Sequence, residues 1–156
     1  MQPLAIPGFG TLELEHLVLD YNGTIAEDGA LIPGVSERLR TLATELTVHV
    51  ITADTFGSVR KRMADLPVTL HILGEGREDE GKLAYVRSLS EDTVASVGNG
   101  RIDRLMLRES ALGIAVIGPE GAAAATLMAA DVVCTGIGEA LDLLTRPLRL
   151  RATLRS

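Results

Sequence analysis

The stretch HLVLDYNGT, residues 16–24, places a carboxylate, that of Asp20, where a short apolar run opens into a glycine turn. An apolar run of this length predicts a buried strand. Asn22-Gly23 is also a common turn dipeptide, so the stretch on its own fits a structural turn as well as a functional site. The rest of the chain decides between these two interpretations.

Apolar, partly β-branched runs recur along the chain and alternate with segments of helical spacing such as Val35, Leu39 and Leu42. This alternation predicts an α/β fold, a doubly wound, Rossmann-like and mostly parallel sheet with helices on both faces. Ser36 is the expected N-cap of the first helix. A short hairpin is expected within residues 1–15, before the first parallel strand. The predicted strands cover residues 16–19, 47–51, 69–73, 93–97, 113–117 and 131–134.

Length and composition narrow the function classes. The chain has 156 residues, which predicts a single domain over 1–156. Its net charge of -6 disfavours nucleic acid as a partner, because binding a phosphate backbone needs clustered Lys and Arg. Cys134 is the only cysteine, which excludes an intrachain disulfide and a cysteine metal cage. No apolar run of about 18 residues is present, so we expect a cytoplasmic protein without a membrane partner.

Polar residues follow several of the predicted strands. Ligands of a doubly wound sheet bind beyond the carboxyl ends of its strands, and there the sequence has Asp20, Thr52 and the triplet Gly98-Asn99-Gly100. Lys82 and Asp103 lie near predicted helix starts, where a solvated lysine, or an anion favoured by the helix dipole, is ordinary. Each residue can be structural when taken singly, so their order along the chain is the informative feature.

Taken in order, these pieces resemble the four sequence motifs of the haloacid dehalogenase-like (HAD) superfamily of phosphotransferases. The stretch Asp20-Tyr21-Asn22-Gly23-Thr24 is similar to the first motif. Thr52 and Lys82 resemble the second and third motifs, and Gly98-Asn99-Gly100 with Asp103 resembles the fourth. The likeness extends to about Leu144 and is nearest to the phosphorylation domain of P-type ATPases, here as a free-standing module.

The resemblance implies magnesium-dependent phosphoryl transfer, in which Asp20 attacks phosphorus and forms an aspartyl-phosphate. Mg²⁺ would offset the repulsion between the nucleophile and the phosphate. The catalytic residues implied are Asp20, Asn22, Thr52 and Lys82. The phosphate-binding residues implied are Tyr21, Asn22, Thr52, Ala53 and Lys82, and the implied Mg²⁺ ligands lie among Asp20, Asn22, Asn99 and Asp103.

Two positions depart from the family pattern. Many HAD phosphatases carry a second Asp two residues after the nucleophile to transfer protons, and Asn22 stands there in this chain. General acid–base catalysis is worth roughly 10²–10⁴-fold, so we expect a slow phosphatase. The fourth motif often begins Gly-Asp, whereas this chain has Asn99, which removes one carboxylate from the metal site. The alternative is a catalytically weak or inactive HAD-like module that acts by binding a protein partner.

The segment between the first two motifs bears on the choice of substrate. It is filled by one loop and one helix, so we expect no cap domain and an open site. An open site suits a phosphorylated small molecule or a phosphoprotein, and a homo-oligomer could also cover it. A competing interpretation takes residues 76–82 as the start of a nucleotide-binding P-loop, but Leu83 stands where that loop needs Ser or Thr.

Overall fold

The computed structural model describes residues 1–54 and 57–156. The strands are β1 (Leu4–Ile6), β2 (Gly10–Leu12), β3 (His16–Asp20), β4 (Ala26–Glu27), β5 (Ala30–Leu31), β6 (Thr47–Thr52), β7 (Val68–Ile72), β8 (Val94–Gly98), β9 (Leu112–Val116) and β10 (Val132–Cys134). The helices are α1 (Val35–Leu42), α2 (Ser58–Met63), α3 (Glu78–Ser88), α4 (Arg104–Glu109), α5 (Ala124–Ala129), α6 (Ile137–Thr145) and α7 (Pro147–Leu154).

Six strands form one parallel sheet in the order β10-β9-β8-β3-β6-β7. This confirms the predicted α/β class and all six predicted parallel strands. The chain leaves β3 toward β6 and β7, and then returns to the other side of β3 as β8. The switch point of the sheet therefore lies at the carboxyl ends of β3 and β8, where such sheets bind ligands.

Side chains of β3 alternate between two buried layers, as expected for a strand covered on both faces. Leu17 and Leu19 pack in the layer that includes α1, α6 and α7, whereas Val18 packs with residues of α3 and α4. All three side chains are fully buried. Complete burial of an aliphatic side chain contributes about 1.5–3 kcal/mol, so β3 is anchored from both sides and holds its terminal Asp20 in a fixed place.

The flanking elements confirm one expectation and correct another. The expected N-terminal hairpin is present as antiparallel β1 and β2. The predicted N-cap at Ser36 is wrong, because Gly34 occupies that position with a φ of 87° and Ser36 lies inside α1. A positive φ favours glycine, which needs no side-chain cap to turn the chain into the helix. Between β3 and α1 the chain also forms the short hairpin β4–β5, which the sequence did not indicate.

Within the described residues, no helix combines the length and the apolar character that crossing a bilayer requires.

Candidate active site

The turn after β3 is built around the main-chain carbonyl of Tyr21, which accepts hydrogen bonds from the N–H groups of Thr24, Ile25 and Ala26. Gly23 lies in this turn with a φ of 77°, a conformation that costs glycine little. The turn brings the Thr24 hydroxyl to 3.0 Å from Asp20 Oδ2. The carboxylate at the end of the strand is thus held by its own turn.

Lys82 lies at the centre of the site. Its Nζ is 2.5 Å from Asp20 Oδ1 and 2.6 Å from Asp103 Oδ1, and the lysine side chain is only 1 % exposed. Helix α3 begins at Glu78, so Gly81 and Lys82 lie within the helix rather than in a phosphate-binding loop. The P-loop interpretation is therefore wrong, and the surface-lysine alternative is wrong as well.

Asp103 has both carboxylate oxygens engaged inside the protein. Its Oδ1 accepts from Lys82, and its Oδ2 accepts from the main-chain N–H groups of Asn99 at 3.1 Å and Gly100 at 2.9 Å. The side chain is fully buried. No side chain would fit at residue 98, because a Cβ on Gly98 would lie 2.5 Å from Asp103 Cβ. Asp103 thus stabilises the loop after β8 through two main-chain hydrogen bonds, and it positions Lys82.

Asn99 faces Asp20 across the switch point. Its Oδ1 lies 3.3 Å from the Thr24 hydroxyl, which also contacts Asp20. Its Nδ2 donates a hydrogen bond to the carbonyl of Gly121 at 3.0 Å. The structure therefore brings the first and fourth motifs together, because the Asp20 carboxylate and the Asn99 amide oxygen share the Thr24 hydroxyl.

A cavity of about 460 Å³ opens at this edge of the sheet. It is lined by seven of the eight residues that the sequence predicted for the site: Asp20, Asn22, Thr52, Ala53, Lys82, Asn99 and Asp103. Tyr21 is the eighth. Its side chain is 1 % exposed, and its hydroxyl donates to the Gly29 carbonyl at 2.8 Å. A phosphate-binding role for Tyr21 therefore depends on its main chain.

Five other residues line the same cavity without belonging to the predicted set: Asp54, Glu78, Gly100, Ile102 and Glu120. Glu120 follows β9, at the same carboxyl edge of the sheet, in a Gly-Pro-Glu-Gly turn. That position was the signal available in the sequence, since ligands bind at this edge. The four motifs end at Asp103, so they do not indicate Glu120.

The site keeps an excess of negative charge. Burial, with a further contribution from Asp103, raises the pKa of Asp20 to about 6 and outweighs the opposite effect of Lys82. Burial by itself would lower the pKa of Lys82, but Asp20 and Asp103 outweigh it and raise that pKa. Two acidic side chains, those of Asp20 and Asp103, thus stand against a single lysine. This electrostatic surplus favours a bound cation.

Oxygen atoms make up the donor set that faces the cavity. Within the described residues there is no group of three or more His, Cys, Asp or Glu side chains placed to hold a metal ion. Mg²⁺ does not need such a cage, because it keeps several waters and commonly uses one or two carboxylates. The Asp20 carboxylate, the Asn22 main chain and the Asn99 amide oxygen fit that chemistry.

Comparison of the sequence with known proteins identifies a family for this chain, and comparison with solved structures identifies its fold. No protein-family model matches the chain. The uncharacterized protein MJ0073 of Methanocaldococcus jannaschii is 40% identical over 84 residues, which cover 51% of this chain and 90% of MJ0073. A relative at this identity, matched over nearly its whole length, shares a family with this chain.

Solved structures resemble this chain in fold at low sequence identity. One from Legionella pneumophila, assigned to subfamily III A of the HAD superfamily hydrolases, superposes with a TM-score of 0.68 at 18% identity and covers 91% of this chain and 87% of its own. The 3-deoxy-D-manno-octulosonate 8-phosphate phosphatase of Moraxella catarrhalis, solved with magnesium and phosphate ions and its sugar, gives a TM-score of 0.67 at 20% identity. That match covers 86% of this chain and 87% of the phosphatase.

Proposed function

This chain belongs to the same protein family as MJ0073 and has the HAD-like fold, and we propose that it is a divalent-metal-dependent phosphatase that acts through an aspartyl-phosphate on Asp20. One observation carries the proposal. A fully buried lysine is clamped between two carboxylates at the switch point of the sheet, beside a cavity. Buried charges cost free energy, and ionisable groups perturbed in a cleft mark functional sites.

In the first step, an Asp20 carboxylate oxygen attacks the phosphorus of a phosphate ester. A new oxygen–phosphorus bond forms, and the bond between phosphorus and the leaving oxygen breaks. Lys82, only 2.5 Å from the nucleophile, would neutralise charge on the phosphoryl group as a point charge. Thr52 and the main-chain N–H groups after Asp20 would orient the phosphoryl oxygens.

In the second step, water attacks the phosphorus of the aspartyl-phosphate, which releases inorganic phosphate and regenerates the Asp20 carboxylate. The leaving oxygen of the first step takes a proton, and the attacking water loses one. Asn22 lines the cavity, but its amide can neither donate nor accept a proton for these transfers. Both transfers would therefore rely on solvent, so we expect slow turnover.

A divalent cation such as Mg²⁺ would supply charge neutralisation between the nucleophile and the phosphate. The residues proposed to hold it are Asp20, Asn22 through its main-chain carbonyl, and Asn99. Of the two candidates in the fourth motif, Asn99 is the better ligand, because Asp103 is fully buried and its oxygens hold Lys82 and two main-chain N–H groups, whereas Asp20 and Asn99 keep some exposure. The proposed role of Asp103 is to position Lys82.

The substrate class follows from the shape of the site. The chain between β3 and β6 contains only the hairpin β4–β5 and helix α1, so the cavity stands open. We propose a phosphorylated small molecule as the substrate, with a phosphoprotein or coverage by a second copy of the chain as further possibilities. The magnesium ion and the sugar of the Moraxella phosphatase support this class by analogy of fold only. The finer likeness to P-type ATPase phosphorylation domains remains a prediction.

The test is covalent labelling with acetyl phosphate and Mg²⁺, followed by intact mass analysis after acid quenching. We expect one phosphoryl group per chain, removed by hydroxylamine as an acyl phosphate must be. Asp20→Asn is the matched control and should take up no label, because its amide cannot attack phosphorus. An unlabelled parent chain, or equal labelling of Asp20→Asn, would favour the alternative of a module that binds a partner without catalysis.

A further inference from the structure

A second acidic side chain stands at the rim of the proposed site, in the turn Gly118-Pro119-Glu120-Gly121 after β9. The turn is closed by a hydrogen bond of 2.9 Å from the Gly121 N–H to the Gly118 carbonyl. Glu120 lines the same cavity as Asp20 and Asn99. Neither the sequence motifs nor the mechanism above gives Glu120 a role.

The turn that carries Glu120 is fixed to the loop after β8. Asn99 Nδ2 donates to the Gly121 carbonyl at 3.0 Å, and the Ala123 N–H donates to the Asn99 carbonyl at 2.9 Å. The Thr126 hydroxyl donates to the Gly100 carbonyl at 2.7 Å. One hydrogen bond thus ties the turn itself to the loop after β8, and two more tie the segment that follows the turn. A site side chain needs such support to act at a defined position.

The Glu120 carboxylate and the Asn99 amide converge over Gly23. A Cβ on Gly23 would lie 2.5 Å from Glu120 Oε2, 2.8 Å from Asn99 Nδ2 and 3.1 Å from Asn99 Oδ1. Gly23 follows Asn22, whose main-chain carbonyl is a proposed cation ligand. The Glu120 carboxylate therefore lies near Asn99, the residue that stands where the family pattern often has an aspartate.

We infer that Glu120 supplies the negative charge that Asn99 lacks, and so strengthens the binding of the divalent cation. This inference rests on the proposed function. Glu120 is assigned to the outer shell of the cation, because its carboxylate lies beside Gly23 and Asn99, whereas the Asp20 carboxylate contacts Thr24 and Lys82. Changes to outer-shell groups typically cost about 10–100-fold in metal affinity.

The experiment measures Mn²⁺ binding by titration calorimetry, with the paramagnetic signal of free Mn²⁺ as a second readout. We expect Glu120→Gln to weaken binding by about tenfold. Glu78→Gln is the matched control, because Glu78 lines the same cavity and carries the same charge but begins α3. It should change affinity by less than about twofold, because Glu120, and not Glu78, supplies one of the atoms nearest to Gly23. Glu120→Asp keeps the charge and should lose less affinity than Glu120→Gln.

Each other outcome has a defined meaning. Equal effects of Glu120→Gln and Glu78→Gln would overturn the inference, because only general electrostatics would then be at work. Unchanged affinity in Glu120→Gln, with binding lost in Asp20→Asn, would overturn the inference and leave the proposed function standing. A parent chain that binds no Mn²⁺ would overturn both. Glu120 is exposed, so its variants should fold, and melting without metal verifies this.

Discussion

Helix α3 contributes to two polar clusters, one buried and one partly buried, that differ in charge. Lys82 joins the charged cluster with Asp20 and Asp103. Tyr85, three residues later, joins a histidine cluster in which its hydroxyl lies 2.8 Å from His49 Nδ1, and His49 Nε2 lies 3.1 Å from His16 Nδ1. The ring of His71 stacks on the Tyr85 ring at 4.4 Å between centroids, which completes the cluster.

The two clusters differ in the charge that their central groups carry. Burial, helped by the neighbouring His16, lowers the pKa of His49 to about 4, so this ring is uncharged near neutral pH. A neutral hydrogen-bonded network can be buried at modest cost. In the other cluster, two acidic side chains stand against the single Lys82 beside an open cavity. A surplus buried charge of this kind is costly, and a bound cation would offset it, which is why we place the function in that cluster.

The largest effect is expected from Lys82→Ala, which leaves two buried carboxylates facing each other. Removing one partner of a buried ion pair costs about 3–5 kcal/mol, so chemical denaturation should show a loss of about this size. Binding of a phosphate mimic should fall far more than in Lys61→Ala, because Lys61 is exposed on α2. Similar losses in the two variants would mean that Lys82 is not part of a charged site.

The next effect concerns pH and the histidine cluster. Because the folded-state pKa of His49 is about 4, below its ordinary value of 6.5, folding favours the neutral ring. Its contribution to stability is complete above pH 6.5 and is lost as the pH falls from 6.5 through 4. The full fall in pKa corresponds to about 3.5 kcal/mol, at about 1.4 kcal/mol per unit of pKa. Solvent screening reduces this, so we expect a loss of about 2 kcal/mol across the window.

His49→Gln isolates this contribution, because glutamine keeps a hydrogen-bonding group for Tyr85 and does not titrate. The Asp20 pKa, raised to about 6, acts in an overlapping pH range with the opposite sign, because protonation of Asp20 favours the folded state. Because Asp20 titrates in both chains, its effect cancels in the difference in unfolding free energy between parent and variant. That difference, followed with pH, reports the contribution of His49. If both lose stability equally between pH 6.5 and 4, the histidine cluster does not carry the acid sensitivity.

A gain of function is expected from Asn22→Asp at the rim of the charged cluster. The carboxyl group could protonate the leaving oxygen and then take a proton from the attacking water. We expect phosphatase turnover on an activated aryl phosphate to rise by about tenfold or more, given the size of general acid–base effects. A variant that binds Mg²⁺ and a phosphate mimic normally but releases phosphate no faster would show that Asn22 does not limit turnover.

The smallest effect is expected at a surface ion pair. Arg87 Nε lies 2.7 Å from Glu109 Oε1 and links α3 to α4, and the arginine side chain is 57% exposed. Exposed pairs contribute about 0–1 kcal/mol. Arg87→Ala should therefore change the unfolding free energy by less than about 1 kcal/mol and leave phosphatase activity unaltered. If Arg87→Ala lowered the free energy of unfolding as much as Lys82→Ala, the buried lysine would contribute no more to stability than the exposed arginine.

The sequence predicted the parallel strands well because their apolar runs are local and lack the spacing of helices. It also identified most side chains that line the cavity, since strand order brings strand ends to one edge. It failed at Ser36, because the left-handed conformation of Gly34 had no separate signal in the sequence. It could not choose between Asn99 and Asp103, or find Glu120, because those roles depend on which way side chains turn across the switch point.

The central claim is that Asp20 accepts a phosphoryl group beside a divalent cation. Thermal unfolding with saturating Mg²⁺ and beryllium fluoride, a mimic of the aspartyl-phosphate, tests this most directly, because a ligand that binds only the folded chain must raise its melting temperature. We predict a clear rise when both are present, a smaller one with Mg²⁺ alone, and loss of the combined effect in Asp20→Ala. An unchanged melting temperature with both ligands, or an equal rise in Asp20→Ala, would contradict the claim.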